Sequence, residues 1–246
     1  MAMAAPLAMT MARLVCPSMA DPASLTPATQ TPAPQTLATD RLHLAQLLSP
    51  AFPIGSFAHS QGLETAIAEG LVPDPAALQD WITTLLAQGS PRLDAVFVSL
   101  TRQNSLPLAD LTGLFHAMTS SAERAQEAAE LGRGFGTLLA ALGHPQPPLP
   151  YPIALGLATR RLVLPMAEVL ALFLQTTVTQ LLSVAVRFMP MGQARGQILL
   201  AALTPLITRT AASLSTATPD DLHAFTPGAD MAAMRHETQD VRIFRT

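Results

Sequence analysis

Residues 165–188 read PMAEVLALFLQTTVTQLLSVAVRF, and the fold turns on where that run is placed. Pro165 suits a helix start, where its missing N–H is no loss. The run after it, to about Phe188, is apolar and long enough to cross a bilayer as one helix. Its polar residues argue otherwise. Glu168, Gln175, Thr179, Ser183 and Arg187 recur at intervals of seven or four, which puts them on one helical stripe. A helix embedded in lipid has little use for such a stripe ending in Arg. The run is therefore expected to be the central helix of a soluble bundle, with a membrane-associated helical protein as the alternative.

Composition points the same way. Of 246 residues, 49% are hydrophobic, 13% charged and only 4% aromatic. Ala and Leu dominate, and they favour helix, whereas strands favour β-branched and aromatic residues. An all-α, single-domain bundle is expected. So little charge leaves an apolar surface that needs partners to cover part of it. The net charge is −3 and every basic residue is Arg, so no nucleic-acid partner is expected. The single cysteine, Cys16, allows no intramolecular disulfide and fits a reducing compartment. Met1–Thr10 carries no positive charge, so the start does not read as a secretory signal. A cytoplasmic protein is expected.

Outward from residue 165, turn residues mark off the other helices. Residues 1–39, rich in Ala, Pro and Thr, hold Pro6, Pro17, Pro22, Pro27, Pro32 and Pro34 and are expected to be a disordered leader. The helical domain is expected over 40–226, with Asp40 capping a short helix, Arg41–Leu48. Further helices are expected over Ser60–Glu69, from Pro75 to Gln88 behind an Asp74 cap, from Pro91 to Arg102, and over Leu108–Thr119 and Ala122–Leu142. Beyond a His144–Pro152 loop come Tyr151–Arg161 and Gly192–Ser215. Residues 227–246 are expected to form a flexible, irregular tail. Glu123, Arg124, Glu127 and Glu130 read as a solvated helical face. The Gly132–Gly136 run lacks the Lys-Ser/Thr ending of a phosphate loop and reads as a close helix contact or kink.

Two segments carry more information than the rest. In Ser49–Glu64 (SPAFPIGSFAHSQGLE), two prolines and Gly55 fix a rigid path between helices, and the small residues Gly55, Ser56, Ala58 and Ser60 admit another backbone. On residues alone it is an ordinary interhelical turn with Phe52, Ile54 and Phe57 packed inside. Met234–Thr246 (MRHETQDVRIFRT) alternates charge around one aromatic. It reads equally as a solvated tail or as an interface anchor. His236-Glu237 also invites a metal-dependent hydrolase, but the zincin spacing H-E-x-x-H is missing because Asp240 stands in the second His position. No metal or cofactor set is expected.

Both segments resemble signatures of the UreF family of urease accessory proteins. The first resembles S-P-a-L-P-x-G-a-F-a-Y-S-q-G-L-E, matching at Ser49, Pro50, Pro53, Gly55, Phe57, Ser60, Gln61, Gly62, Leu63 and Glu64. His59 departs from the usual Tyr. The second resembles s-M-R-H-E-x-Q-y-S-R-L-F-R-S, matching at Arg235, His236, Glu237, Gln239, Arg242, Phe244 and Arg245. The resemblance implies an all-α, dimeric, non-enzymatic protein that helps load nickel into urease. It implies bridging of the accessory protein UreD (also called UreH) and the GTPase UreG on apo-urease. It also makes Pro53–Gly62, including His59, with Glu64 a partner-facing surface, expected to face the GTPase. The Arg235–Arg245 tail is expected to dock to UreD.

Overall fold

Pro165 does open the longest helix. In the computed structural model, which describes residues 36–245, that helix is Met166–Phe188. The predicted polar stripe lies on its outer side: Glu168, Thr179 and Ser183 are half-buried, and Gln175 and Arg187 are exposed. Val169, Leu170, Phe173, Leu174, Val178, Leu181 and Leu182 are buried on the other. The fold is all-α, with no strand among the described residues.

In chain order the helices are α1 (Leu37–Leu47), α2 (Leu63–Ala68), α3 (Pro75–Gln88), α4 (Ser90–Gln103), α5 (Leu108–Met118), α6 (Ala122–Ala141), α7 (Tyr151–Thr159), α8 (Met166–Phe188), α9 (Gln193–Leu214) and α10 (Pro227–His236). The middle of the bundle is α4, whose Leu93–Thr101 stretch is buried throughout. It packs against α3, α7, α8 and α9, while α8 pairs lengthwise with α9. Aromatic rings tie α6 and α7 together: Phe135 meets Phe52 at 5.8 Å and Tyr151 at 5.4 Å, both edge to face. Gly132 permits that approach, because a Cβ there would overlap the Leu149 carbonyl. The glycine run is thus a close helix contact, and α6 passes through it unbroken.

Side-chain caps open α1, α3 and α6, and three features differ from expectation. The Asp74 side chain accepts from Ala76 and Ala77 N–H ahead of Pro75, as the sequence indicates. The first helix, however, opens at Leu37, capped by Thr36, whose hydroxyl accepts from Thr39 N–H. Asp40 is instead buried and accepts from the Val163 N–H. The second helix starts at Leu63, because Gln61 (φ 55°) and Gly62 (φ 78°) are both left-handed. The third difference is α10, a regular helix inside the stretch expected to be irregular. The leader through residue 35, with Cys16, and Thr246 lie outside the described residues.

Two helices, α8 and α9, are long and apolar enough by composition to cross a membrane; half of the α8 window and 28% of the α9 window are buried inside the protein.

Candidate functional site

The two informative segments, nearly two hundred residues apart in sequence, meet. Gly62 makes the meeting possible. Its φ of 78° is costly for any residue with a Cβ, and an added Cβ would sit 2.5 Å from Ala233 N on α10. The α10 backbone therefore lies directly on the loop that precedes α2, at Gly62 and not at Gly55, where an added Cβ would meet nothing within 4 Å.

Two residues further on, Glu64 is the node of the junction. Its side chain is 2% exposed. One carboxylate oxygen accepts the Ile243 N–H at 2.9 Å and the other the Phe244 N–H at 3.0 Å. The second oxygen also lies 3.2 Å from His236 Nε2. On the other side of the ring, His236 Nδ1 lies 2.7 Å from Glu123 on α6. A neutral ring donates to one of these carboxylates; an imidazolium donates to both. Charge-assisted bonds of this kind, inside the protein, are among the stronger polar contacts available.

Around the node, the tail is pinned along its length. Glu237 accepts from the Ala122 and Glu123 N–H groups, capping the start of α6. Gln239 accepts from Thr65 at 2.7 Å. Arg235 pairs with Glu69, Arg242 with Glu123 at 2.6 Å, and Arg245 with Glu130 at 3.2 Å. The Arg245 N–H donates to the Ala58 carbonyl at 2.7 Å, closing the loop and the tail on each other. Phe244 is 4% exposed. Its ring lies 5.7 Å from Phe188 and beneath the Arg187 guanidinium, 5.3 Å from the centroid. So the tail's anchor fills a pocket of its own chain.

A buried charge cluster lies behind the junction, and it corrects the reading of α6 as a solvated face. Arg124 and Glu127 are buried, Arg124 pairs with Glu127 at 2.5 Å and with Asp94 at 3.0 Å, and Gln61 donates to Glu127 at 3.2 Å. Their i,i+3 pairing lets both charges leave water together. Burial pushes Asp94 up to about 6, with Glu127 adding to it and Arg124 opposing. Burial works against the Arg124 charge, but Glu127 and Asp94 outweigh it and hold the guanidinium above its usual range. Burial also lowers His59, against the pull of Glu127 and Glu130. Its Nδ1 is enclosed and finds no partner among the described residues.

Not every predicted residue joins this junction. His59, Ser60 and Glu64 are buried, Gln61 is half-buried, but Pro53, Gly55 and Phe57 stand on the exposed outside of the loop. Phe52 and Ile54 are half-buried and pack on the core as expected, whereas Phe57 is 37% exposed. Sequence reading missed Glu69, Glu123 and Glu130 as the tail's counter-charges. The available signal was the acidic run of α6 set against a tail with Arg at 235, 242 and 245. With the inward residues so occupied, the tail turns apolar side chains outward: Met231 and Met234 are each 49% exposed, Ile243 69% and Val241 79%.

In this arrangement each His236 ring nitrogen faces a carboxylate, and Glu237 is turned to the α6 amides. Among the described residues no group of three or more His, Cys, Asp or Glu is arranged to hold a metal ion.

A family model described as UreF matches residues 72–204. Among curated relatives, the urease accessory protein UreF of Cereibacter sphaeroides strain KD131 is 50% identical over 206 residues, covering 83% of this chain and 98% of that one. The protein of the same name from Paracoccus denitrificans is 46% identical over 207 residues (84% and 96%). That from Agrobacterium fabrum is 41% identical over 213 residues (83% and 96%). With the family model spanning more than half of the chain and relatives at this identity covering most of it, the chain belongs to the UreF family of urease accessory proteins.

Proposed function

We propose that this protein is a non-catalytic assembly factor for nickel insertion into urease, acting in the cytoplasm as a homodimer. In this reading it bridges UreD and the GTPase UreG on apo-urease and regulates the GTPase without hydrolysing nucleotide itself. The observation that carries the reading is the junction at Glu64. It spends the tail's charged and aromatic residues on the chain's own body and leaves Met231, Met234, Val241 and Ile243 facing out. An ordered strip of exposed aliphatic side chains is what a partner surface requires.

The residues divide between two roles. Arg235, His236, Glu237, Gln239, Arg242, Phe244 and Arg245 hold the tail in place, so that its outer face meets UreD. Pro53, Gly55 and Phe57 form the exposed rim of the loop that faces the GTPase, with His59, Ser60, Gln61, Gly62 and Glu64 fixing that rim from behind. The test is co-expression with UreD and UreG from the same source, read by size-exclusion chromatography with light scattering and by urease activation. A stable complex that disappears on deleting Met234–Thr246 supports the proposal. A chain that elutes alone while urease still matures refutes it.

A further inference from the structure

A second surface lies at the root of the tail, between α3 and the segment leading into α10. It is a concave site of about 500 Å³ formed around Trp81, Leu71, Leu85 and Phe225. Phe225 is 74% exposed and Leu71 50% exposed, so two large apolar side chains stand in water at its mouth. The position of Phe225 is set by the backbone: its N–H donates to the Gln88 carbonyl at the end of α3, at 2.8 Å. The Trp81 indole N–H is shut off from water and has no acceptor among the described residues. An unmet buried donor is uncommon.

Charge narrows the choice of occupant. Among the described residues that line the site, Asp80 is the single charged one, and it is exposed. The site therefore suits a group that is apolar at its tip and cationic beside it. A second copy of this chain brings its own exposed Phe225 and Asp80 to a symmetric contact, so acid would face acid.

We infer that the Trp81 site takes an apolar anchor side chain from a protein partner, on a segment where Arg or Lys next to the anchor pairs with Asp80. This rests on the assembly-factor reading and adds to it a second contact, at the root of the tail. The site offers what interface hot spots share: an aromatic wall, a pocket for one large side chain and a rim charge.

Trp81 is the only tryptophan in the chain, which makes the site directly readable. The full chain, labelled with 5-fluorotryptophan, gives a single fluorine resonance, followed by NMR as unlabelled UreD from the same source is added. Binding is measured in parallel for wild type, Phe225→Ser and Asp80→Arg, each at an exposed position where the core is untouched. The expected result is a shifted resonance with bound UreD, and affinity weakened about tenfold or more by either substitution. If UreD binds with the resonance unmoved and both variants bind like wild type, this inference is overturned and the tail surface stands. If the resonance moves only with the chain's own concentration, a second copy is the occupant and the inference is overturned as well. If UreD does not bind at all, both this inference and the assembly-factor reading fail.

Discussion

Glu64→Gln is the substitution that most sharply probes the junction. The carboxylate accepts two main-chain N–H groups, at 2.9 and 3.0 Å, and faces His236 Nε2 at 3.2 Å. Glutamine keeps one oxygen and turns an NH₂ group toward at least one of these neighbours. Hydrogen bonds to a charged group contribute about 1.5–3 kcal/mol each, and an unmet buried donor costs a similar amount. A net loss of about 3 kcal/mol corresponds to a roughly hundredfold rise in the opening of the tail. The bundle is not expected to unfold, because the core helices α4 and α8 do not use this carboxylate. Hydrogen exchange by mass spectrometry separates the two levels, since local and global opening report independently. The peptide covering Ile243 and Phe244 should exchange about a hundredfold faster in Glu64→Gln, while peptides from α4 keep wild-type protection. Glu69→Gln is the control: its pair with Arg235 is exposed, and surface pairs contribute about 0–1 kcal/mol. Unchanged exchange at Ile243 and Phe244 in Glu64→Gln would refute the role assigned to the carboxylate.

Further expectations concern the loop, the core and pH. Gly62→Ala combines a left-handed φ with a Cβ 2.5 Å from Ala233 N, so it should detach α10, seen as accelerated exchange over 227–236 with a folded core. On α6, Gly132→Ala should lower stability by about 1–3 kcal/mol in urea melts through its clash with the Leu149 carbonyl. Gly136→Ala, which meets open space, should raise it by about 0.5–1 kcal/mol. Asp94 has its folded-state value raised to about 6 from an ordinary 3.8. The stabilisation from its protonated form is therefore complete below the unfolded value and lost as pH rises through about 6. Between pH 5 and 7.5 the wild type should lose about 1–2 kcal/mol relative to Asp94→Asn, measured by urea melts at both pH values. His59→Phe removes an enclosed nitrogen that finds no partner among the described residues, adds no polar group, and should stabilise by about 1 kcal/mol; a lower melting temperature would contradict this.

Local grammar made most of the fold legible. Asp74-Pro75 and Pro165 mark real helix starts, and the stripe from Glu168 to Arg187 correctly gives α8 a wet side. Errors fall where tertiary contacts decide. Asp40 looks like a cap but is drawn into the interior by the Val163 amide. Arg124 and Glu127 look solvated because charge usually is; burial became tolerable only because Asp94 and Gln61, from other elements, complete their pairing. That Phe244 and the tail arginines have their socket in their own chain was not legible, since no local pattern links Glu64 to Ile243. Helix α10 was hidden by its weak periodicity: its Ala and Met favour helix, but the pattern marks no clear apolar face, and packing on Gly62 holds it in place.

The proposed function makes the outer face of the latched tail a contact for UreD. Its most direct measurement is the affinity of UreD for a Val241→Asp/Ile243→Asp double variant, with hydrogen exchange confirming that Phe244 remains protected. Both side chains point to solvent, so the tail should stay docked while UreD binds about tenfold or more weakly. Wild-type affinity in a variant whose tail is still docked would contradict the account.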